Sequence, residues 1–144
     1  MHTDYMQTAW TYLRLVMAAM GGAISYLLGE LDGPLIALLI FMSIDYIIGF
    51  LCATAKKQLS SKIGFRGFAK KAALLLIVIV AHTVDVHLIG DSSVARTTTI
   101  IFLSCNEGVS ILENACRIGL PVPQKLKDVL LQLRGDKANK SEDE

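Results

Sequence analysis

The chain has 144 residues, of which 53% are hydrophobic and 19% charged, and its formal net charge is +1. Such a low share of charge, with apolar runs long enough to cross a bilayer, excludes an ordinary soluble enzyme, a secreted disulfide scaffold and a disordered chain. The near-neutral balance lacks the basic excess of nucleic-acid-binding proteins, so no nucleic-acid partner is expected.

Four apolar segments follow one another, and each is long enough to form a helix of about 30 Å, the thickness of the hydrocarbon core. They cover residues 10–28, 34–55, 72–89 and 94–112. Helices are expected because a spanning segment must satisfy its own backbone hydrogen bonds. The turns at 29–34 and 89–93 contain glycine and acidic residues, and Ser92 or Ser93 is a candidate cap for the fourth helix.

The fourth segment is the least apolar, because it contains Arg96 and Glu107. Each of these would cost about 2.5–3.5 kcal/mol at a lipid-facing helix centre. On a helical projection both lie on one stripe, while Cys105 and Val109 lie on the opposite, lipid-facing side. The prediction is an all-α membrane protein with four transmembrane helices. The alternative is three transmembrane helices plus an amphipathic helix at the surface.

Positive charge is concentrated between the second and third segments, whereas the short turns contain acids and no base. The positive-inside rule then places this basic loop, and with four spans both termini, in the cytoplasm. Phe65 and Phe68 suit a loop that lies on an anionic membrane surface. The membrane-surface basic loop comprises Lys56, Lys57, Lys62, Arg66, Lys70 and Lys71.

The C-terminal part differs in character from the rest. Gln124–Arg134 has leucine and valine at helical spacing and predicts a short amphipathic helix. The polar residues 135–144 are predicted to be disordered. The chain therefore divides into a helical transmembrane domain, 1–118, and a cytoplasmic part, 119–144, with the amphipathic helix and polar tail.

Ionisable and amide side chains within the apolar segments are functional candidates, since lipid-facing charge is costly. They could line a water-filled lesion in an oligomer, or they could pair within one bundle, for example Arg96 with Asp45 or Asp85. The candidate pore-lining or inter-helix polar residues are Asp45, His82, Asp85, Arg96, Asn106, Glu107 and Asn114.

Small residues recur at four-residue spacing in the first two segments. Such rows let helices approach closely, either within one chain or between copies. The candidate helix-packing residues are Gly21, Gly22, Ser25, Gly29, Gly49 and Ala53.

No catalytic, metal or cofactor site is expected, and the chain is predicted not to be an enzyme. The cysteines form no CxxC pair and have no histidine at metal-ligand spacing. No nucleophile has a base at a readable spacing, and no nucleophile elbow or phosphate-binding loop occurs.

Two stretches of the sequence resemble the toxin secretion/phage lysis holin family. Residues 45–51, 59–67 and 70–71 are similar to its central signature, and residues 106–114, 119–123 and 126–127 to its C-terminal one. The resemblance covers about residues 30–134 in order. It implies a phage or prophage holin of the bacterial cytoplasmic membrane that forms homo-oligomers in the lipid bilayer and opens lesions at a set time.

The cargo implied by the resemblance is an endolysin or a toxin, without a specific contact, and an antiholin is a further implied partner. Two alternatives stay open: a small ion channel or transporter, and a non-pore antiholin regulator.

Overall fold

The computed structural model describes residues 2–57, 60–90 and 93–134, and within these residues it contains helices and no strand. There are five helices in this part of the chain. They are α1 (His2–Leu28), α2 (Gly33–Ala55), α3 (Ser61–Val84), α4 (Val94–Arg117) and α5 (Gln124–Arg134). The predicted all-α fold is confirmed.

Three helical stretches of the described chain are long and apolar enough to cross a membrane: Tyr5–Leu28, Gly33–Ala55 and Gly64–Ile89. They contain the first three predicted spans. The 24-residue α4 is not among them, because it carries four charged side chains and several serines and threonines. Length and composition therefore confirm three of the four predicted spans.

The core lies where α2, α3 and α4 meet. Leu38 of α2, Val78 of α3 and Ile100 of α4 are fully buried there. Helix α1 contributes only its last residue, Leu28, to this core, since residues 5–27 are all exposed. Helix α1 is therefore anchored in the core only at its C-terminal end.

Helix α4 runs parallel to α2 along nearly its whole length. At one end the Arg96 guanidinium contacts Asp32, just before α2 begins. At the other end the Cys52 thiol of α2 donates to the Asn114 carbonyl oxygen at 3.2 Å. The two contacts are about 27 Å apart along α4. Helix α4 therefore occupies the same depth as α2.

Helix α5 folds back against α4. A Cβ added to Gly108 would lie 2.9 Å from Leu130 Cδ1, so the Leu130 side chain packs directly against the glycine. Further along, Arg134 Nη1 donates to Asn106 Oδ1 at 3.2 Å. This packing changes the predicted lipid face of α4: Cys105 and Val109 are buried.

The predicted basic loop is wrong for residues 61–71, which form the first turns of α3. No proline interrupts them, and Lys71 is buried against α2 and α4 rather than lying at the membrane surface. Residues 58–59 and 135–144, including the predicted disordered tail, lie outside the described residues.

The start of α4 is capped from the end of α3, where the helix continues as a wider π turn, Asp85–Ile89. The Asp85 carboxylate accepts from the backbone N–H groups of Ala95 at 3.0 Å and Arg96 at 2.7 Å. Ser93 occupies the N-cap position but makes no side-chain cap bond, and Ser92 lies outside the described residues. The cap therefore comes from a residue far from the predicted serines.

Replacing Asp85 with alanine should lower the free energy of unfolding by about 2 kcal/mol, because it leaves buried N–H groups without an acceptor. Unfolding of the purified protein by SDS in mixed micelles measures this. Ser93→Ala is the matched control and should change it by less than about 0.5 kcal/mol. Equal effects of the two substitutions would contradict the assignment of the cap.

Candidate functional site

An outer cluster of polar groups forms around Arg96, where α1, α2 and α4 meet. Its Nε donates to the Leu28 carbonyl oxygen and Nη2 to the Glu30 carbonyl oxygen, each at 2.6 Å. Nη1 donates to Asp32 Oδ2, also at 2.6 Å. The carbonyl groups that end α1 have no partner within the helix, so a guanidinium there satisfies them and suits the helix dipole.

Asp32 has two roles in this cluster. Its Oδ1 accepts from the Leu35 N–H at 3.1 Å, which caps α2, and from Arg96 Nη2 at 3.2 Å. The hydrogen bonds from Arg96 hold the pKa of the Asp32 carboxyl below its ordinary value of 3.8. One arginine thus fixes the end of α1 and the start of α2 against α4.

Gly29 makes room for this arginine. Its φ is +82°, in the left-handed region that glycine adopts without strain after a helix. A Cβ at this position would lie 2.7 Å from Arg96 Nε. Gly29 was predicted as a helix-packing residue of the first span, but it lies past the end of α1 and packs against a side chain.

A central cluster joins α2, α3 and α4 through Lys71. Its Nζ donates to Asp45 Oδ2 at 2.6 Å and also contacts Glu107 Oε2. Asn114 Nδ2 donates to the other Asp45 oxygen at 3.3 Å. The Lys71 side chain is 11% exposed and that of Glu107 is 2% exposed. One ammonium group therefore offsets two carboxylates in a site with little access to solvent.

The two clusters lie at different depths. Arg96 and Glu107 are eleven residues apart on α4, which corresponds to about 17 Å along the axis. Asp45 lies near the middle of α2, so the central cluster lies about halfway along this apolar helix. Charges this far from water are stable only when paired and hydrogen-bonded.

The structure brings together most of the predicted polar residues, within one chain. Asp45, Glu107 and Asn114 meet in the central cluster, and Asp85 and Arg96 meet at the start of α4. The Arg96 guanidinium pairs with Asp32 of the acidic turn, which was not among the predicted partners Asp45 and Asp85.

The other two predicted polar residues lie elsewhere. Asn106 binds Arg134 of α5, and His82 is half-buried beside the Gly29 turn. Sequence reasoning also missed Lys71 as a buried partner, because its neighbours Lys70 and Arg66 placed it in a basic surface segment. Its position directly before the apolar run from Ala72 was the available signal.

The predicted small-residue rows have different surroundings. A Cβ added to Gly21 or Gly22 would meet no atom within 4 Å, so no other helix of the described residues packs against these two glycines. A Cβ on Gly49 would lie 3.9 Å from Asn114 Nδ2, so Gly49 faces α4. Ala53 lines a groove beside it, and Ser25 lines a separate cavity near His82.

Four exposed charged side chains lie on α4 and α5 near the turn that connects these helices, and we call them together the hairpin face. It comprises the exposed charged side chains Glu113 and Arg117 of α4 and Lys125 and Asp128 of α5. Because Arg134 reaches Asn106, next to Glu107, α5 extends to the depth of the central cluster. The charges of the hairpin face therefore lie level with the last turns of α2, where Asn114 contacts Cys52.

The described residues contain no group of three or more His, Cys, Asp or Glu side chains that could hold a metal ion. The buried carboxylates are instead occupied by Lys71, by Arg96 and by backbone N–H groups. Their arrangement joins helices and offers no coordination site.

Comparison with known proteins gives a consistent result. The model of a family described as the bacteriophage holin family matches residues 22–135. A 14.9 kDa protein of Clostridium perfringens is 37% identical and covers 92% of this chain and 100% of its own length. A protein of Listeria innocua is 40% identical over 83% of this chain and 84% of its own.

A phage protein is also among the relatives. A protein of Bacillus phage phi105, named a probable holin, is 34% identical over 82% of this chain and 86% of its own length. No solved structure matches the chain.

Replacing Lys71 with methionine should lower the free energy of unfolding by about 3–5 kcal/mol, because two buried carboxylates lose their counter-charge. The triple variant Lys71→Met, Asp45→Asn, Glu107→Gln should recover most of the loss. SDS unfolding in mixed micelles measures both. Lys62→Met, an exposed lysine of the same helix, is the control and should have little effect. A Lys71→Met protein as stable as the control would contradict the central cluster.

Proposed function

Because this chain belongs to the bacteriophage holin family, we propose that it is a holin that oligomerises in the bacterial cytoplasmic membrane and opens lesions there. An endolysin or a toxin then leaves the cytoplasm through these lesions. The family is not a family of enzymes. The observation that carries the proposal is the match of the holin family model to residues 22–135, together with the phage relative that is named a probable holin.

In this proposal α4 is the fourth transmembrane helix. Its contacts with α2 at Arg96–Asp32 and Asn114–Cys52 keep it alongside a strongly apolar span, which an amphipathic helix lying flat on the surface would not do. Four spans place both termini on the cytoplasmic side, where the basic start of α3 also lies. Helix α5 then enters the cytoplasmic leaflet beside α4.

The lesion is lined by the hairpin face of several subunits. The side chains of Asp45, Asp85, Arg96 and Glu107 already have partners inside one chain, so they hold the bundle together. The charges at Glu113, Arg117, Lys125 and Asp128 are exposed, and assembly around water removes them from lipid. Lesion opening is a population shift toward this assembled state, favoured by concentration.

The central cluster sets how readily the subunit changes its packing. Asp45→Asn and Glu107→Gln alter the balance of two carboxylates around one ammonium group, and each should shift the time of lysis. If cells expressing either variant lysed at the same time as cells expressing the unchanged protein, the central cluster would have no role in the timing of lysis.

Expression of this chain alone in bacteria should cause loss of viability together with release of a cytoplasmic enzyme into the periplasm or medium. The measurement is enzyme activity outside the cells, with potassium leakage followed in parallel. Ion leakage without enzyme release would favour a channel. No effect alone, with delayed lysis on co-expression with a holin, would favour an antiholin.

The lining can be tested by thiol labelling after the native Cys52, Cys105 and Cys116 have been replaced by alanine. Cysteine at Asp128 or Glu113 should react with a charged, membrane-impermeant reagent about tenfold faster or more than cysteine at Ile77 or Val80, because the reactive thiolate does not form in hydrocarbon. Equal rates at the two pairs would contradict the proposed lining. A C-terminal tag resistant to protease in intact spheroplasts would support four spans.

A further inference from the structure

A groove opens between α2 and α3 on the side of the central cluster nearer the start of α3. Its volume is about 160 Å³. Gly64 and Gly67 of α3 lie against the Tyr46 ring, which would be 3.3 Å from a Cβ at Gly67. Without side chains at these two positions, space remains beside Tyr46 that opens toward the surroundings of the bundle.

The lining of the groove is mostly apolar, with charge at one edge. Phe50 and Ala53 of α2 form its apolar wall, and Lys70 of α3 lies at its rim. Lys71 closes the inner end, but its ammonium is already bound by the two carboxylates of the central cluster. The groove therefore has the form of a channel for a chain of methylene groups with a cation at its mouth.

Lys70 is the inner member of a basic stripe. Lys62, Arg66 and Lys70 are spaced by four residues, so they lie on one side of α3, and all three are exposed. Helical side chains point toward the helix N-terminus, which for α3 is the end proposed to lie at the cytoplasmic surface. The stripe thus continues from the groove mouth to the level of the phospholipid headgroups.

Two aromatic rings flank the same segment of α3. Phe65 and Phe68 are 74% and 65% exposed. Rings at this level pack among headgroups and upper acyl chains. Lys70 is one residue from the central cluster, and an exposed cation this deep is costly in lipid unless an anion reaches it.

We infer that the groove binds one anionic phospholipid of the cytoplasmic leaflet, with its phosphate at Arg66 and Lys70 and an acyl chain along Phe50 and Ala53. Basic pockets between transmembrane helices on the cytoplasmic side have the chemistry that such headgroups need. A zwitterionic lipid would bring its own cation to the bases and gain less. The inference rests on the orientation of α3 in the proposed function and does not require that the chain open lesions.

The test is native mass spectrometry of the full chain released from detergent micelles, with phosphatidylglycerol or phosphatidylcholine of the same acyl chains added. We expect tighter binding of phosphatidylglycerol. Arg66→Gln with Lys70→Gln should weaken it by about fivefold for each base removed, which corresponds to about 1 kcal/mol per base. Ala53→Leu, which fills the groove and keeps every charge, should weaken both lipids.

The matched control is Lys56→Gln with Lys57→Gln, which removes two exposed bases that precede α3 and belong neither to the groove lining nor to the basic stripe. It should leave the phosphatidylglycerol affinity unchanged. If both double variants weakened phosphatidylglycerol binding equally, the lipid would be held by general electrostatic attraction to the basic segment and not by the groove. If Ala53→Leu abolished a dimer signal and left lipid binding unchanged, the groove would be a contact site for a second copy of this chain and not for a lipid. Lipid binding by a chain that releases no enzyme from cells would overturn the holin proposal alone.

Discussion

The ammonium group of Lys71 between Asp45 and Glu107 is the contact on which the bundle depends. It joins α2, α3 and α4 at one depth, far from either end of the helices. A charge buried there is stable only while its partners stay in place, so separating any of the three helices leaves an unpaired ion in a medium of low dielectric constant. Apolar packing alone would not fix the rotation of α2 and α3, whose surfaces are largely hydrophobic.

The outer cluster supplies the second fixed point, and it uses groups that helix ends leave unsatisfied. Arg96 binds the terminal carbonyl groups of α1, while Asp85 and Asp32 accept from the first N–H groups of α4 and α2. Two polar clusters about 17 Å apart hold α4 parallel to α2. Helix α4 carries too many polar side chains to be identified as a membrane span from its composition, and these contacts hold it alongside the strongly apolar α2.

The proposed role in lysis depends on the contrast between charged side chains that are paired inside the bundle and charged side chains that are exposed. Inside the bundle the ionisable groups are buried with their partners, whereas the charged side chains of the hairpin face are exposed. In the proposed function, an isolated subunit would carry that face in lipid at a cost, and assembly around water would remove the cost. The groove at the start of α3 lies on a different helix pair. Its occupant therefore influences how the subunit sits in the leaflet, independently of the lining.

The sequence alone determined that the fold is helical, the positions of the three most apolar spans and the polar groups within them, because these depend on hydropathy and on the helical period. It missed the start of α3 at Ser61 and predicted a fourth span that length and composition do not confirm. It also carried the family signatures. Only the tertiary structure determined which of these polar side chains pair with one another. Lys71 and Asp45 are 26 residues apart and Arg96 and Asp32 are 64 apart, so their meeting depends on the rotation and depth of whole helices. The return of α5 along α4, with Leu130 against Gly108 and Arg134 at Asn106, likewise depends on contacts between helices that no local pattern reveals.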